Sequence, residues 1–189
     1  MNSNKLIIFS APSGSGKSTI VNELLKEFSQ LEFSISATSR APRGSEQSGV
    51  EYFFMSNEEF GQRVERGDFV EWEEVYAGTC YGTLRSEMER IWAKGNVIIF
   101  DVDVVGGLRL KSIFGEAACA LFIMPPSVEE LRRRLEGRAT DSAEVIERRV
   151  AKAAQEIARA EEFDAVVVND DLALAVGETS QIVRKFIAQ

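Results

Sequence analysis

Four short apolar runs along the chain predict buried β-strands. They are KLIIFS (5–10), NVIIFDVD (96–103), CALFIM (119–124) and DAVVVND (164–170). Runs that are apolar at nearly every position are typical of a parallel sheet, which is covered on both faces. Stretches with helical spacing alternate with these runs, around 84–94, 127–136, 143–162 and 171–188. This alternation predicts an α/β fold with a parallel sheet core flanked by helices.

Two segments depart from the alternation. Between residues 35 and 84, short β-like runs alternate with turn residues, and a helical piece lies near 57–66. This pattern predicts a small mixed α+β insertion, mostly antiparallel. The arginine-rich segment 126–150 is a second insertion candidate. In it, Ser127 can cap a helix, and Glu130 three residues later can complete a capping box.

Composition narrows the classes of function. A length of 189 residues, with 44% hydrophobic and 28% charged residues, fits one ordinary globular domain. The net charge of -8 argues against a general binder of nucleic acid or of an anionic membrane, although a local basic site is compatible with it. The chain has no histidine, which excludes Ser-His and Cys-His catalytic pairs and a His-ligated metal site.

The sequence also bears on cellular location. Two cysteines, Cys80 and Cys119, are too few for a disulfide framework and fit a reducing cytosol. The N-terminus lacks the pattern of a signal peptide, and no apolar run approaches the roughly 20 residues of a membrane span. We therefore expect a cytoplasmic protein. The sequence leaves open whether the chain forms a homo-oligomer.

The stretch APSGSGKS (11–18) follows the first apolar run and precedes a helical pattern through Ile20, Leu24 and Phe28. It matches the phosphate-binding P-loop, GxxxxGK[ST], except that Ala11 stands at the first glycine. Consecutive backbone N–H groups of such a loop surround phosphate oxygens, next to the positive end of the helix dipole. A flexible Gly/Ser turn is the weaker alternative. The match indicates a nucleoside triphosphate and leaves the acceptor of its phosphoryl group open.

Each position of this loop is a predicted ATP-binding residue. Lys17 is expected to reach the β- and γ-phosphates, and the Ser18 hydroxyl is expected to bind Mg²⁺. The complete predicted loop is Ala11, Pro12, Ser13, Gly14, Ser15, Gly16, Lys17, Ser18 and Thr19.

A pair of arginines downstream suits a second phosphate. Arg40 and Arg43 are three residues apart, and Pro42 stiffens the segment between them. Two guanidinium groups so placed fit a phosphate dianion, to which Tyr52 adds a phenolic donor. The alternative is a solvated basic loop.

Glu71 is a candidate residue for recognising a nucleotide base. Its neighbours Phe69, Val70 and Trp72 predict partial burial, which is costly for a carboxylate that has no donors. Guanine offers two adjacent donors, its N1–H and its 2-amino group, and Asp103 is a second possible acceptor for them. The alternative is that Glu71 is an exposed surface residue. Three hydroxyls are further candidates. Those of Ser36 and Thr83 could donate to guanine O6, and that of Tyr81 could contact the phosphate.

Taken together, these stretches resemble the sequences of guanylate kinases. The resemblance rests on APSGSGKST, TSRAPRGSEQSGVEYFF, FVEWEEVYAGTCYGT, IIFDVDVVG, PPSVEELRRRLEGRAT and VVNDDL, which occur in the family's order over almost the entire chain. It implies a nucleoside monophosphate kinase fold and transfer of the γ-phosphoryl group of Mg·ATP to GMP or dGMP, a step of purine nucleotide metabolism. It also implies a single domain, 1–189, with a core (about 1–35, 84–125 and 151–189), a GMP-binding part (about 36–83) and a lid (about 126–150).

The resemblance further implies a role for each matching residue. The GMP phosphate would contact Arg40, Arg43, Tyr52 and Tyr81, and guanine would contact Ser36, Glu71, Thr83 and Asp103. Asp101 would help to hold the water shell of Mg²⁺. The arginines that close over the triphosphate would be Arg134, Arg138 and Arg149, and Asn169 and Asp170 would lie near adenine.

This chain departs from the family pattern at three positions. Ala11 replaces the first glycine of the loop, Val105 replaces a usual glutamine, and Thr83 stands where serine is common. None of these removes a charged group that phosphoryl transfer needs. The sequence leaves two alternative functions open: a non-catalytic interaction module of the same family, and a P-loop kinase for another acceptor.

Overall fold

We analysed a computed structural model of the chain, which describes residues 4–76, 78–137 and 142–189. The described strands are β1 (Leu6–Ser10), β2 (Leu31–Phe33), β3 (Ala37–Thr38), β4 (Phe53–Phe54), β5 (Phe69–Tyr76), β6 (Thr79–Leu84), β7 (Val97–Asp101), β8 (Ala118–Met124) and β9 (Ala165–Val168). The described α-helices are α1 (Lys17–Glu27), α2 (Asn57–Glu65), α3 (Arg85–Ala93), α4 (Val104–Phe114), α5 (Val128–Gly137), α6 (Ala143–Ile157) and α7 (Leu172–Ala188).

The chain divides into two compact units. One unit takes the chain up to Leu31 together with Ile99–Gln189, and the other is Glu32–Ile98. Each unit has its own apolar core and its own group of predicted site residues.

The larger sheet has the strand order β2-β7-β1-β8-β9. Within the first unit, β1 pairs with β8 and β8 pairs with β9, in both cases in parallel. Every residue of β1 is buried, as are all but the last residue of β8, because side chains on both faces of a parallel sheet are covered. The predicted parallel α/β core is confirmed.

Helix α4 was not predicted from the sequence. It contains Gly106 and Gly107, and glycine has a low helix propensity. The structure explains this composition, because a Cβ on Gly107 would lie 2.5 Å from Ser10 Oγ and 3.2 Å from Ile8 Cγ2. The glycine therefore lets the helix pack closely on β1, and Asp103 caps it by accepting from Gly106 N at 2.8 Å.

The second unit contains a four-stranded mixed sheet in the order β4-β3-β6-β5. Strand β3 is parallel to β4 and antiparallel to β6, and β6 is antiparallel to β5. Helix α2 covers this sheet through Phe60, whose ring stacks on Phe69 at a centroid distance of 4.4 Å. The predicted small mixed insertion thus forms a sheet with its own core, made of Ala37, Phe60, Phe69 and Leu84.

Helices α5 and α6 form a small helical hairpin in the first unit. Their shared core contains Leu131, Leu135, Ile146, Val150 and Ala153. The predicted cap at the start of α5 is present, since Ser127 Oγ accepts from Glu130 N at 3.0 Å. Among the residues that the structure describes, no helix is both long enough and apolar enough to cross a membrane.

Candidate active site

The glycine loop joins β1 to α1 and requires glycine at two of its positions. Gly14 has a φ of 97° and Gly16 a φ of 90°, a region that other residues rarely adopt. A Cβ on Gly16 would also lie 2.2 Å from Asn169 Nδ2. Among the residues that the structure describes, no side chain caps α1 at Gly16, so the first N–H groups of the helix can bind an anion.

Ser15 is an independent indication that the glycine loop binds a polar ligand. Its side chain is buried, and its Oγ has no hydrogen-bond partner within the described part of the chain. A buried hydroxyl without a partner is costly and in native proteins is usually satisfied by a ligand or a water molecule. A phosphate oxygen held in the loop would satisfy it.

The loop borders a cavity of about 390 Å³. All of its lining residues belong to the first unit. They are the whole loop Ala11–Thr19, the strand-end residues Asp101, Val102 and Asp103, and Arg149, Lys152 and Glu156 of α6. The cavity therefore brings together Lys17, Ser18, Asp101, Asp103 and Arg149 of the predicted set.

Lys17 is held at the end of β7. Its ammonium group forms an ion pair with Asp101, and its Nζ also donates to the Val102 carbonyl at 3.4 Å. Both charged side chains are mostly buried, with 16% of Lys17 and 24% of Asp101 exposed. The ion pair fixes a cation beside the glycine loop before any phosphate binds.

The predicted arginines of α5 and α6 lie in different places. Arg149 lines the cavity and donates from Nη1 to Ser13 Oγ at 3.2 Å. Arg134 does not line it; its Nε donates to Glu130 Oε1 at 2.9 Å and its Nη2 to the Asn169 carbonyl at 3.0 Å. Arg138 lies outside the described residues.

Asn169 braces the glycine loop. Its side chain is buried, and its Nδ2 donates to the Ser15 carbonyl at 2.7 Å. Its backbone N–H donates to the Met124 carbonyl at 2.8 Å, so the residue ties the loop to the end of β8. The neighbouring Asp170 is exposed.

Sequence reasoning missed three residues that line the cavity, Val102 and the charged pair Lys152 and Glu156. The charged ends of Lys152 and Glu156 lie 3.5 Å apart. Burial raises the pKa of Glu156, and Lys152 opposes that rise. The signal was present in the sequence, because residues 149, 152 and 156 follow the i, i+3, i+7 spacing of one helix face.

In the second unit, residues predicted to contact the GMP phosphate form a cluster lined by aromatic rings. The guanidinium of Arg40 lies 4.9 Å from the centroid of the Tyr52 ring and 5.3 Å from that of Phe54. The rings of Tyr52 and Tyr81 lie 5.8 Å apart. The Arg43 side chain is exposed on the same loop. Arg40, Tyr52 and Tyr81 are thus brought together.

Glu71 and Thr83, which were predicted to contact guanine, are cross-strand partners on β5 and β6. Thr83 is buried, and its Oγ1 donates to Glu71 Oε1 at 2.7 Å. A hydroxyl has one proton, so Thr83 uses it on the carboxylate and in this arrangement cannot also donate to guanine O6. Ser36 directly precedes β3, where Ala37 pairs with Gly82, so Ser36 lies near Thr83 in the register. Asp103 belongs to the first unit.

Comparison with known proteins identifies the family. A family model described as Guanylate kinase matches residues 3–186. This chain belongs to the guanylate kinase family.

Similar proteins include curated guanylate kinases and a solved one. A guanylate kinase of Bacteroides thetaiotaomicron is 56% identical over 97% of this chain and 90% of its own length. One of Porphyromonas gingivalis is 55% identical over 98% of this chain and 99% of its own length. The crystal structure of guanylate kinase from Anaplasma phagocytophilum has a TM-score of 0.75 at 32% identity, covering 98% of this chain and 87% of that one.

The fold accounts for one departure from the family pattern. Ala11 is buried at the start of the glycine loop, and among the described residues other than glycine only Asn4 has a positive φ. The backbone at Ala11 therefore does not require glycine. Val105, which replaces the usual glutamine, lies in the first turn of α4 with its side chain 44% exposed.

Proposed function

We propose that this chain transfers the γ-phosphoryl group of ATP to GMP or dGMP, giving ADP and GDP or dGDP. The observation that carries the proposal is the Glu71–Thr83 pair on β5 and β6, in the same unit as Tyr81 of β6 and as Arg40 and Tyr52, which lie just outside strands β3 and β4. The second unit thus combines a carboxylate suited to a base with a cation and two phenols suited to a phosphate. Membership of the guanylate kinase family and the glycine-loop cavity support the same conclusion.

On the donor side, the glycine loop binds the triphosphate of ATP. Backbone N–H groups at the start of α1 and the Ser15 hydroxyl contact phosphate oxygens, and Lys17 neutralises charge on the β- and γ-phosphates. Arg149, with Arg134 and Arg138, adds positive charge around the transferred group. Asn169 and Asp170 lie on the adenine side.

The residues at the cavity fit a magnesium ion. Ser18 offers a hydroxyl and Asp101 a carboxylate, and both are hard oxygen donors. Within the described part of the chain, no group of three or more acidic or thiol side chains is placed to hold a metal. Mg²⁺ keeps several waters and is bound by few protein groups together with substrate phosphates. When bound, it would neutralise charge on the triphosphate, with Ser18 as a direct ligand and Asp101 contacting its water shell.

On the acceptor side, Glu71 selects guanine. One carboxylate oxygen accepts from Thr83, and a carboxylate, with two acceptor oxygens and no donor, suits the adjacent N1–H and 2-amino donors of the base. Adenine presents an acceptor at N1, which would face the carboxylate unfavourably. Ser36 donates to guanine O6, and Asp103 is the second acceptor for the base. Arg40, Arg43, Tyr52 and Tyr81 bind the GMP phosphate.

The chemical step needs alignment and charge neutralisation. Phosphoryl transfer passes through a loose transition state, and the attacking oxygen of GMP is already anionic. No general base is required, which agrees with the absence of histidine from the chain. Closure of the lid (about 126–150) and of the GMP-binding part (about 36–83) would exclude water and limit hydrolysis of ATP.

We also place the enzyme in the cytoplasm. Cys80 and Cys119 are both free thiols, which supports a reducing compartment.

A coupled assay of ADP release with GMP, AMP, CMP and UMP as acceptors tests the proposal. We expect turnover with GMP well above turnover with the other three. Equal rates with all four monophosphates, or no turnover with GMP, would contradict it.

A further inference from the structure

Glu46 lies in the same loop as the two phosphate-binding arginines and is bonded to both. Its Oε2 accepts from Arg40 Nη1 at 2.6 Å, and its Oε1 accepts from Arg40 Nη2 at 2.8 Å. The backbone N–H of Arg43 donates to Oε2 at 2.7 Å. One carboxylate thus holds the side chain of one arginine and the backbone of the other.

The hydrogen bonds of Arg40 limit what it can offer to a ligand. A guanidinium has five N–H groups. Both hydrogens of Nη1 are used, on Glu46 and on the Ala41 carbonyl at 2.9 Å, and one hydrogen of Nη2 is used on Glu46. At most two N–H groups remain, and the Tyr81 hydroxyl also interacts with this guanidinium.

Packing and charge keep this arrangement in place. Tyr52 and Phe54 lie within about 5 Å of the guanidinium, and only 11% of the Arg40 side chain is exposed. The hydrogen bond from Arg40 lowers the pKa of Glu46 to about 2, so the carboxylate is ionised at neutral pH. A phosphate that displaced Glu46 would have to replace three hydrogen bonds, two of which are charge-assisted bonds from the Arg40 guanidinium.

We infer that Glu46 is a positioning residue for the acceptor phosphate, because it fixes the orientation of Arg40 and the backbone at Arg43. The inference rests on the proposed binding of the GMP phosphate by these arginines. Arg40 then presents its remaining N–H groups in a fixed direction, while the exposed Arg43 side chain adjusts to the phosphate.

Substitution of Glu46 by glutamine tests this role. An amide has a single acceptor oxygen and no charge, so it cannot accept all three hydrogen bonds. We expect the KM for GMP to rise about tenfold, as for loss of a charge-assisted hydrogen bond, with the KM for ATP and kcat unchanged. Glu46→Asp keeps the charge and should recover part of the loss.

The matched control is Glu51→Gln. Glu51 is an exposed carboxylate of the same loop, and its Oε2 accepts from Gln47 N at 2.7 Å. It makes the same kind of bond to the loop backbone as Glu46 but holds no arginine side chain. We expect its kinetics to equal those of the unsubstituted protein.

Calorimetric titration with GMP and with guanosine separates positioning of the phosphate site from general loss of structure. Glu46→Gln should weaken GMP binding and leave guanosine binding unchanged, because guanosine has no phosphate. Equal loss for both ligands, unchanged GMP affinity, or tighter GMP binding would each overturn the inference; the last would mean that Glu46 competes with the phosphate. Failure of the unsubstituted protein to bind GMP would instead overturn the proposed function.

Discussion

The two proposed phosphate sites are built differently: the donor cavity next to the glycine loop, and the acceptor site at the mixed sheet of the second unit. The donor cavity is lined largely by one continuous stretch, Ala11–Thr19, which contains two glycines with positive φ and leads into the N-terminus of α1. The proposed acceptor site takes its side chains from strands β5 and β6 and from the loop after β3, and these side chains are paired with each other, Arg40 with Glu46 and Glu71 with Thr83.

This difference predicts different sensitivities. A backbone-built site is damaged by any side chain that takes up its space or requires a different φ. A site built from paired side chains is damaged when one partner is removed, because the other is left unsatisfied or misdirected. Substitutions in the two regions should therefore affect ATP and GMP separately.

The largest effect is expected for Lys17→Met. It removes the cation beside the glycine loop, and kcat should fall on the order of 10²–10³-fold, as for loss of one charge-stabilising group in a transition state. The loss should occur with every acceptor, while calorimetric affinity for GMP stays unchanged. Lys26→Met, at a lysine that is 71% exposed, is the control. A loss restricted to GMP would place Lys17 on the acceptor side.

Gly16→Ala should have the next largest effect. The new Cβ would displace Asn169 Nδ2, which holds the Ser15 carbonyl, and alanine would be strained at a φ of 90°. We expect a loss of stability of about 1–3 kcal/mol, measured by denaturant unfolding, together with weaker binding of a non-hydrolysable ATP analogue. Gly61→Ala has open space in helix α2 and should be neutral or stabilising. If the two variants were equally stable, the account of the loop would be wrong.

Thr83→Val tests the paired character of the acceptor site. Valine keeps the shape but removes the donor to Glu71, so the carboxylate loses its orientation. We expect kcat/KM for GMP to fall by roughly 5–10-fold, the equivalent of one hydrogen bond of about 1 kcal/mol. Thr83→Ser keeps the hydroxyl and should retain activity. An unaffected valine variant would show that Glu71 does not need the hydrogen bond from Thr83.

Lys152→Ala should have the smallest effect. The side chain lines the donor cavity but is 64% exposed, so its interaction with the triphosphate is screened by solvent. We expect the KM for ATP to rise by about 2–3-fold, with the KM for GMP unchanged. Arg148→Ala, at an exposed residue of the same helix that does not line the cavity, is the control. A larger effect on GMP than on ATP would remove Lys152 from the donor side.

The sequence predicted the donor region better than the acceptor region for a physical reason. The glycine loop is contiguous and lies between an apolar run and an amphipathic helix, so local pattern identifies it. Helix α4 was missed because Gly106 and Gly107 weaken the helical signal and serve close packing on β1. Lys152 and Glu156 show only the spacing of a helix face, which a solvated surface shares.

In the acceptor region the residue types were visible but their pairing was not. Glu46 and Arg40 are joined within a loop of irregular structure, for which no periodic pattern exists. The use of the Thr83 proton on Glu71 follows from the register of β5 and β6, which is fixed by the fold and not by the local sequence.

The most direct test of the central claim, that Glu71 selects guanine, is the ratio of kcat/KM for GMP to that for AMP in Glu71→Gln and in the unsubstituted protein. The amide replaces one of the two carboxylate oxygens by a donor, which would face the donors of guanine. We predict that the ratio falls by about tenfold or more, through loss of GMP activity, while ATP binding is unchanged. GMP kinetics equal to those of the unsubstituted protein would contradict the assignment of Glu71 as the residue that selects the acceptor.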